Sequence, residues 1–380
     1  MAQTTQKILN REFLLTFFAQ LALSFTFSLL VPTLPIYLLQ SGATEVEIGV
    51  LIGIPGISSM VLRPFVGRTL SQIPERNFML GGAVLLVICS AAYLWASPFW
   101  PLLIVRLLQG IGIALFYTAS VTLIANVSPA THRGQSISYF YLAFQISSVL
   151  APSFGMFLIN HSSFTLLFMV CTGLSLCSLF VTFKLEERPV DPMGDQSVQD
   201  HPFFSRESLP PAIIAFMTSC VFGAITAFFP LYALNHGMAN PGLFFSAFAV
   251  TIILGRALGG RILDLHGRGR AIFFSLSTYI IAMSIFPFSK TLPMFIVVAV
   301  IWGIGHTFLY PALAAYTLDL AGSSRGPAMG IFTAADDLGM GLGPILMGIV
   351  LRLTSYPIMF LCLALIGAIN LSYFLYSRTK

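Results

Sequence analysis

The sequence predicts an all-α membrane protein in which twelve transmembrane helices form two similar bundles of six. Three observations lead to this prediction: an apolar composition, twelve apolar stretches, and a repeat that relates the two halves of the chain. Of the 380 residues, 57% are hydrophobic and only 9% are charged, whereas about a quarter of a typical soluble domain is charged. Because so few charges cannot cover a surface that faces water, we expect lipid to surround the chain.

Composition also argues against several classes of protein. The formal net charge of +5 does not indicate a nucleic-acid partner, because the positive residues stand singly at the ends of apolar stretches. The five cysteines lie within apolar stretches and fit neither a metal site nor a disulfide framework. No catalytic constellation is visible. We therefore expect no enzyme activity, no cofactor and no metal.

The apolar stretches define the predicted spans. A bilayer core of about 30 Å requires roughly 20 apolar residues in each helix. The first stretch is longer than the apolar part of a signal peptide, so we expect it to be retained. The predicted spans are 12–39, 46–70, 77–96, 99–126, 133–159, 163–185, 208–235, 242–263, 270–289, 292–319, 326–352 and 356–376.

The distribution of lysine and arginine predicts the orientation. With a cytoplasmic N-terminus, only Lys290 and Arg352 fall on the outer side, as the positive-inside rule requires. We therefore expect a multi-pass protein of the plasma membrane with both termini in the cytoplasm. A polar segment rich in proline and aspartate separates the halves. The predicted domains are a bundle at 1–185, a cytoplasmic linker at 186–207 and a bundle at 208–380.

Short motifs recur in the two halves in the same order. Because each half has six spans, the two copies have the same orientation in the membrane. Such a repeat places a binding site between the halves near the membrane midplane, opened alternately to each side by rocking. The matching segments are PIYLLQSG (35–42) with PLYALNHG (230–237), RPFVGR (63–68) with RALGGR (256–261), and GIGIALFY (110–117) with GIGHTFLY (303–310).

These motifs resemble those of major facilitator superfamily transporters over the whole chain. The loop motif G-x4-D-x2-G-R is similar to the segment 260–268 and, in part, to 67–71. RLLQG (106–110) resembles the span-4 motif of proton-coupled members. The resemblance implies rocker-switch alternating access and, among the branches of the superfamily, is nearest to the drug:proton antiporters and the sugar-efflux-like members. The segments that resemble antiporter motifs are VPTLP (31–35), APSFG (151–155) and GLGPILMG (341–348).

The resemblance also implies a gate. In the superfamily the loop aspartate bridges to the opposite half and helps to lock the outward-facing state. Asp264 could form this bridge near His132 and Arg133, whereas Ser71 offers only a weaker neutral hydrogen bond. We therefore predict an asymmetric gate; alternatively, these charges only fix topology. The predicted gating residues are Arg63, Gly67, Arg68, Ser71, Arg256, Gly260, Arg261, Asp264 and Arg268.

Few ionisable residues lie at membrane depth, where they are costly and usually functional. Asp336 and Asp337 fall near the middle of span 11 and point about 100° apart. The repeat places Asp337 opposite the polar Gln145 and Asp336 opposite Phe144, so we favour Asp337 for the central cavity. A carboxylate removed from water is suited to taking up and releasing a proton.

Other readings of these residues stay open. The aspartates could form a structural ion pair with Arg256 or Arg106. Arg106 resembles the arginine of the family's proton-relay motif, but it could bind an anion or pack against carbonyl groups. His306 lies mid-span and could serve the cavity or only packing. The predicted proton-coupling residues are Asp337, Asp336, Arg106 and His306.

Tyrosines at equivalent places in spans 1, 4, 7 and 10 complete the predicted pocket, because the resemblance implies that these spans line the central cavity. With three glutamines they would form a mostly apolar pocket with a few polar groups. The substrate favoured is a moderately amphipathic compound that could carry a positive charge. The predicted substrate-binding residues are Gln20, Tyr37, Gln109, Tyr117, Gln145, Tyr232 and Tyr310.

Taken together, we predict a proton-coupled secondary transporter, with efflux by antiport favoured. The alternatives are proton-coupled uptake of a sugar or metabolite, a lipid flippase, or a non-transporting sensor with the same fold. The titratable residues at membrane depth argue against a sensor, which would not need them. We expect a monomer whose partners are a small-molecule substrate, protons and the lipid bilayer, without nucleic acid.

Overall fold

The computed structural model describes residues 10–70, 72–96, 99–129, 132–187, 209–266, 268–320 and 325–379. Within the helices, it does not describe the side chains of 133–134, 258–266, 325–327 and 378–379. Ser71 lies outside the described residues, and so do the side chains of Gly260, Arg261 and Asp264. The gating contacts predicted for these four residues therefore stay predictions.

The described chain is helical, and the predicted all-α membrane fold is confirmed. Eleven of its helices are long and apolar enough to cross a membrane, and the described apolar part of the remaining one runs over Gly242–Ala257. The helices are α1 (Arg11–Gln40), α2 (Glu45–Thr69), α3 (Glu75–Ala92), α4 (Trp100–Val127), α5 (Arg133–His161), α6 (Phe164–Phe183), α7 (Leu209–Asn235), α8 (Gly242–His266), α9 (Arg268–Ile285), α10 (Leu292–Leu320), α11 (Arg325–Leu353) and α12 (Tyr356–Thr379).

Two helices end earlier than predicted. The third predicted span reached residue 96, but α3 ends at Ala92 and the chain continues as a turn. The ninth reached residue 289, but α9 ends at Ile285 and is followed by a 3₁₀ turn over Phe286–Phe288. Pro287 explains the second difference, because it lacks the N–H that another α-helical turn would need.

The repeat is visible in the backbone. Two residues after the end of helices α1 and α7 stands a glycine with positive φ, Gly42 at 84° and Gly237 at 76°. The following N–H groups close the same hydrogen bond, from Ala43 to the Leu38 carbonyl and from Met238 to the Ala233 carbonyl, each 3.0 Å long. Only glycine adopts this left-handed cap without strain.

Helices α1–α6 pack into one bundle and α7–α12 into the other. In the first, α1 packs on α5 and α6, and α4 packs on α2 and α3; in the second, α10 packs on α8 and α9, and α7 packs on α11 and α12. The bundles meet mainly where α2 packs on α11 and α5 on α8. We call the membrane side that holds the start of α1 and the end of α12 the terminal side, and the opposite side the far side.

Candidate functional site between the two halves

The first contact between the halves is a seam of backbone atoms on the far side. Helix α2 presents Gly49 and Gly53 to α11. A Cβ added to Gly49 would lie 2.4 Å from the Pro344 oxygen, and one added to Gly53 would lie 2.0 Å from the Gly341 oxygen. No side chain fits in such spaces, so the absence of Cβ atoms lets the two helices touch along their far-side ends.

A second seam joins α5 and α8 on the same side. A Cβ on Gly242 would lie 2.4 Å from the Pro152 oxygen. The Ser246 hydroxyl donates a hydrogen bond of 2.5 Å to the Val149 carbonyl and lies 2.9 Å from the Ser153 hydroxyl. These contacts close the far side between the other two helices of the interface.

The two seams are related by the repeat. Gly49 and Gly242 hold equivalent positions, and so do the residues they meet, Pro344 and Pro152. Four residues along, about one helical turn, Gly53 of α2 corresponds to Ser246 of α8. The halves therefore meet in one register that occurs twice, as a pseudo-twofold arrangement of parallel repeats requires.

An ion pair lies at the inner end of the α2–α11 seam. The Nε atom of Arg63 lies 2.8 Å from the Oδ2 atom of Asp337, and the two side chains are only 24% and 12% exposed. The pair joins the two halves at the middle of α11. The sequence pointed to Arg256 or Arg106 as ion-pair partners for the aspartates, but the partner in the structure is Arg63.

The hydrogen bonding of this pair leaves one carboxylate oxygen open. The Arg63 Nε–H is directed at the Ser59 hydroxyl, 3.2 Å away. Asp337 Oδ2 lies 2.8 Å from Arg63 Nε, but among the described residues no donor points at it with hydrogen-bond geometry. A buried carboxylate oxygen without a donor is a site at which a proton can bind.

Three tyrosines surround the ion pair. The Arg63 guanidinium lies 5.5 Å from the ring centroid of Tyr117, whose ring lies 6.4 Å from that of Tyr141. Tyr310 interacts electrostatically with Asp336 and, more weakly, with Tyr141, Arg63 and Asp337. Tyr141 and Tyr310 come from opposite halves and are 38% and 36% exposed. The two tyrosines therefore interact across the boundary between the halves.

We call this group of side chains the central polar cluster. Its sixth member is Arg256 of α8, which is exposed and interacts electrostatically with Tyr141. Each member comes from a different one of the helices α2, α4, α5, α8, α10 and α11. The cluster consists of Arg63, Tyr117, Tyr141, Arg256, Tyr310 and Asp337.

Comparison with known proteins agrees with this architecture. The chain matches the Major Facilitator Superfamily over residues 16–244 and 212–380. It belongs to this superfamily. The staphylopine export protein of Staphylococcus aureus strain Mu50 is 26% identical over 358 residues, which cover 89% of each chain. The quinolone resistance protein NorA of Staphylococcus aureus strain COL is 19% identical over 355 residues, 90% of each chain.

A solved structure shows the same fold. The crystal structure of the nucleoside transporter NupG superposes with a TM-score of 0.80 at 13% identity and covers 98% of this chain and 100% of that one. At this identity the likeness concerns the fold alone. The protein is thus a multi-pass membrane transporter of the Major Facilitator Superfamily, with export and resistance proteins among its relatives.

In this superfamily member, the two adjacent aspartates have different surroundings. Asp336 does not join the ion pair; its Oδ1 atom accepts a short hydrogen bond from the Ser219 hydroxyl of α7, within its own half. Asp337 faces Arg63 across the interface. The predicted preference for Asp337 at the cavity fits this geometry, while the proton-coupling role itself stays a prediction.

His306 lies in an aromatic box rather than in the central polar cluster. Its Nδ1 atom shares a short hydrogen bond with the Tyr279 hydroxyl. Its ring packs 5.7 Å from Phe222, 5.3 Å from Phe248 and 6.4 Å from Trp302. This arrangement corresponds to the packing alternative for His306.

Arg106 is bonded inside the first half. It is 5% exposed, and its guanidinium donates to the Leu51 carbonyl at 2.6 Å and to the Ile52 carbonyl at 3.1 Å. It also donates to Gln109 Oε1 at 2.7 Å. No carboxylate touches it among the described residues. Arg106 therefore ties α4 to α2, which corresponds to the packing alternative.

Four predicted substrate-binding residues are not brought to the cluster. Gln20 and Gln109 are buried, and each is hydrogen-bonded within the first half. The Tyr37 ring packs on α6, 5.1 Å from Phe168. Tyr232 is 2% exposed and donates to the Ser289 carbonyl at 2.9 Å. Tyr117, Tyr310 and Gln145 remain at the interface, where Gln145 is half-buried on α5.

The described gating residues lie at the terminal side, apart from the arginines of the cluster. Arg68 is exposed, and a Cβ added to Gly67 would meet nothing within 4 Å among the described residues. Arg268 pairs with Asp319 and donates to the Ala315 carbonyl at 3.2 Å. It therefore links α9 to α10 within one half rather than across the interface.

Sequence reasoning missed several members of the site. Ser59, Ser219 and Tyr279 could not be singled out, because serine and tyrosine are common in membrane helices and carry no motif here. Tyr141 could have been found. It lies one turn before Gln145, so the two share a helix face.

Proposed function

We propose that this transporter exports a small organic solute across the plasma membrane in exchange for protons, by rocker-switch alternating access. The observation that supports this most is the ion pair between Arg63 and Asp337. It joins the two halves at mid-membrane, and one of its atoms is a carboxylate oxygen that accepts no hydrogen bond from any residue that the structure describes. A proton that binds there acts directly on the contact between the halves.

The energetics suit a switch. Protonation of Asp337 removes the charge that holds Arg63, and loss of one partner of a buried pair costs about 3–5 kcal/mol. Moving a two-state equilibrium from 1:99 to 99:1 requires about 5.5 kcal/mol. Uptake of one proton is therefore sufficient for most of a conformational shift, provided that the pair forms in one state only.

We take the described state, whose far side is closed, as the inward-facing one. If both termini are cytoplasmic, as the lysine and arginine distribution favours, the far side with its two closed seams is the outer side. We take 1–185 and 208–380 as the two moving bodies and 186–207 as the cytoplasmic linker. A substrate would then load from the cytoplasm, as export requires. The named export and resistance functions of the relatives favour the same direction.

The test is a flux measurement in proteoliposomes that hold purified protein and an imposed pH gradient. A mixed panel of drugs, sugars and amino-acid-like compounds is screened for dissipation of the gradient. The key variant is Asp337→Asn, which keeps the shape of the side chain but cannot release a proton. The matched control is Asp319→Asn, because Asp319 pairs with Arg268 at a helix end away from the cluster.

Each outcome is informative. If a compound dissipates the gradient with the wild type and with Asp319→Asn but not with Asp337→Asn, antiport through Asp337 is supported. Solute movement in the same direction as protons would support the uptake alternative instead. Equal transport by wild type and Asp337→Asn without proton movement would rule out the proposed coupling.

A further inference from the structure

The two arginines of the central polar cluster hold equivalent positions in the repeat, but their surroundings differ in charge. Arg63 of α2 faces Asp337 of α11. Arg256 is the counterpart of Arg63 in the second half, and Gln145 is the counterpart of Asp337 in the first. The pair that would mirror Arg63 and Asp337 therefore has a cation and a neutral amide.

The shared register of the seams supports this correspondence in space. On α2 and α11, the seam runs from Gly49 and Pro344 towards the ion pair. On α5 and α8, the equivalent seam starts at Gly242 and Pro152 and runs in the same direction. Continued by the same number of residues, the second seam leads to Arg256 and Gln145, as the first leads to Arg63 and Asp337.

Arg256 is exposed in the space between the halves. No ion pair or hydrogen bond of its guanidinium occurs with the side chains that the structure describes, and the group that interacts with it on α5 is Tyr141. A guanidinium carries several donors and cannot lose its proton, so it favours an anion with two acceptor oxygens. A carboxylate has this geometry.

We propose that Arg256, with Gln145 and Tyr141, binds a carboxylate of the transported solute. In this proposal the carboxylate of the solute faces Arg256 as the carboxylate of Asp337 faces Arg63. This inference deepens the proposed function and rests on it only in placing the solute in this cavity.

The charges of the site narrow the class of solute. Asp337 is already balanced by Arg63, and Asp336 is held by Ser219 in its own half. Among the described residues, Arg256 is therefore the charged member of the central polar cluster without an ion-pair partner, and it favours an anionic group, in contrast to the cationic preference suggested by the sequence. The faces of Tyr141 and Tyr310 are suited to an apolar or aromatic part. The solute class is thus an amphipathic carboxylate, with or without an additional amine.

The test uses two fluorescent probes that differ only in a carboxylate. Nε-dansyl-lysine carries an α-carboxylate and an α-amine, and dansylcadaverine is its decarboxylated analogue. Binding is followed by dansyl fluorescence with the full-length protein in lipid nanodiscs, without a pH gradient, after subtraction of empty nanodiscs. The variants are Arg256→Gln, Arg256→Lys and Gln145→Glu. The control is Arg352→Gln, an exposed arginine at the far-side end of α11.

We expect the wild type and Arg352→Gln to bind dansyl-lysine about tenfold more tightly than dansylcadaverine, as a charge-assisted hydrogen bond predicts. Arg256→Gln should abolish this preference, and Arg256→Lys should keep part of it. Gln145→Glu should invert it, because the new carboxylate would occupy Arg256. This variant keeps Arg256 in place, so it tests the site even if Arg256→Gln does not fold.

Three results would overturn the proposal. These are equal binding of the two probes by the wild type, a preference unchanged in Arg256→Gln, and no binding of dansyl-lysine at millimolar concentration. Because binding is measured without a gradient, the result is independent of proton coupling. Arg256 can bind the carboxylate even if Asp337→Asn leaves transport unchanged. Asp337 can likewise couple transport to protons even if Arg256 binds no carboxylate.

Discussion

At the residue scale, adjacent side chains in one helix have different tasks because each turns about 100° from the last. Asp337 crosses the interface to Arg63, whereas Asp336 stays with Ser219 in its own half. The sequence could place both carboxylates at mid-membrane, and the repeat could rank them. It could not predict Arg63 as the partner, because that contact depends on how α2 and α11 are rotated and spaced in the assembled bundle.

The first prediction concerns Asp336. We expect Asp336→Asn to retain at least about half of the proton-driven transport rate, because its amide oxygen can still accept from Ser219. Asp337→Asn should lose coupling. The measurement is initial solute flux under a fixed pH gradient. Loss of coupling in Asp336→Asn, with Asp337→Asn active, would reverse the assignment of the two residues.

The second prediction concerns Arg106. Replacement by leucine removes charge-assisted hydrogen bonds to the Leu51 and Ile52 carbonyls, each worth about 1.5–3 kcal/mol. We expect a clearly lower thermal unfolding temperature in detergent, which lysine at this position would not restore because it lacks the planar fork. Arg352→Leu is the control, since Arg352 is exposed at the far-side end of α11 and an exposed ion pair contributes about 0–1 kcal/mol. Wild-type stability of Arg106→Leu would contradict the packing role.

At the element scale, the seams depend on positions that have no Cβ atom. Hydropathy predicted twelve spans, because a membrane helix must be long and apolar whatever it packs against. Hydropathy cannot show which glycine faces which helix. The structure assigns Gly53 to the contact with α11. In contrast, a Cβ on Gly81 of α3 would meet nothing within 4 Å.

The third prediction uses this contrast. Gly53→Ala should push α2 away from α11 and shift the protein towards the state that is open on the far side, whereas Gly81→Ala should not. The shift is measured as faster labelling of a single cysteine at position 246 by an impermeant maleimide, in a background without the native cysteines. Equal labelling rates in the two variants would mean that the α2–α11 seam does not control far-side access.

At the scale of the whole molecule, the pseudo-twofold relation between the halves was readable from the sequence. Matched motifs such as 35–42 and 230–237 reappear as identical left-handed helix caps. The difference between the halves was harder to read. Gln145 and Asp337 were aligned, but the consequence for Arg256 follows only once the register of both seams is known.

The fourth prediction tests whether the halves must separate on the far side during transport. Ser153 and Ser246 have hydroxyl oxygens 2.9 Å apart across the α5–α8 seam. We expect the double variant Ser153→Cys, Ser246→Cys to form a disulfide on oxidation and to lose transport, and a reductant should restore it. Each single variant is the control. Full transport with the disulfide intact would exclude opening at this seam.

The two halves repeat each other, but Gln145 stands in the first half where Asp337 stands in the second. This difference has a consequence for the gene. Glutamine and glutamate codons differ in their first base, so one point mutation at position 145 would supply Arg256 with a permanent counterion. After this change, both copies of the repeat would carry an arginine and a carboxylate. Selection for a different cargo could therefore act on a single nucleotide while the fold, the seams and the coupling aspartate stay unchanged.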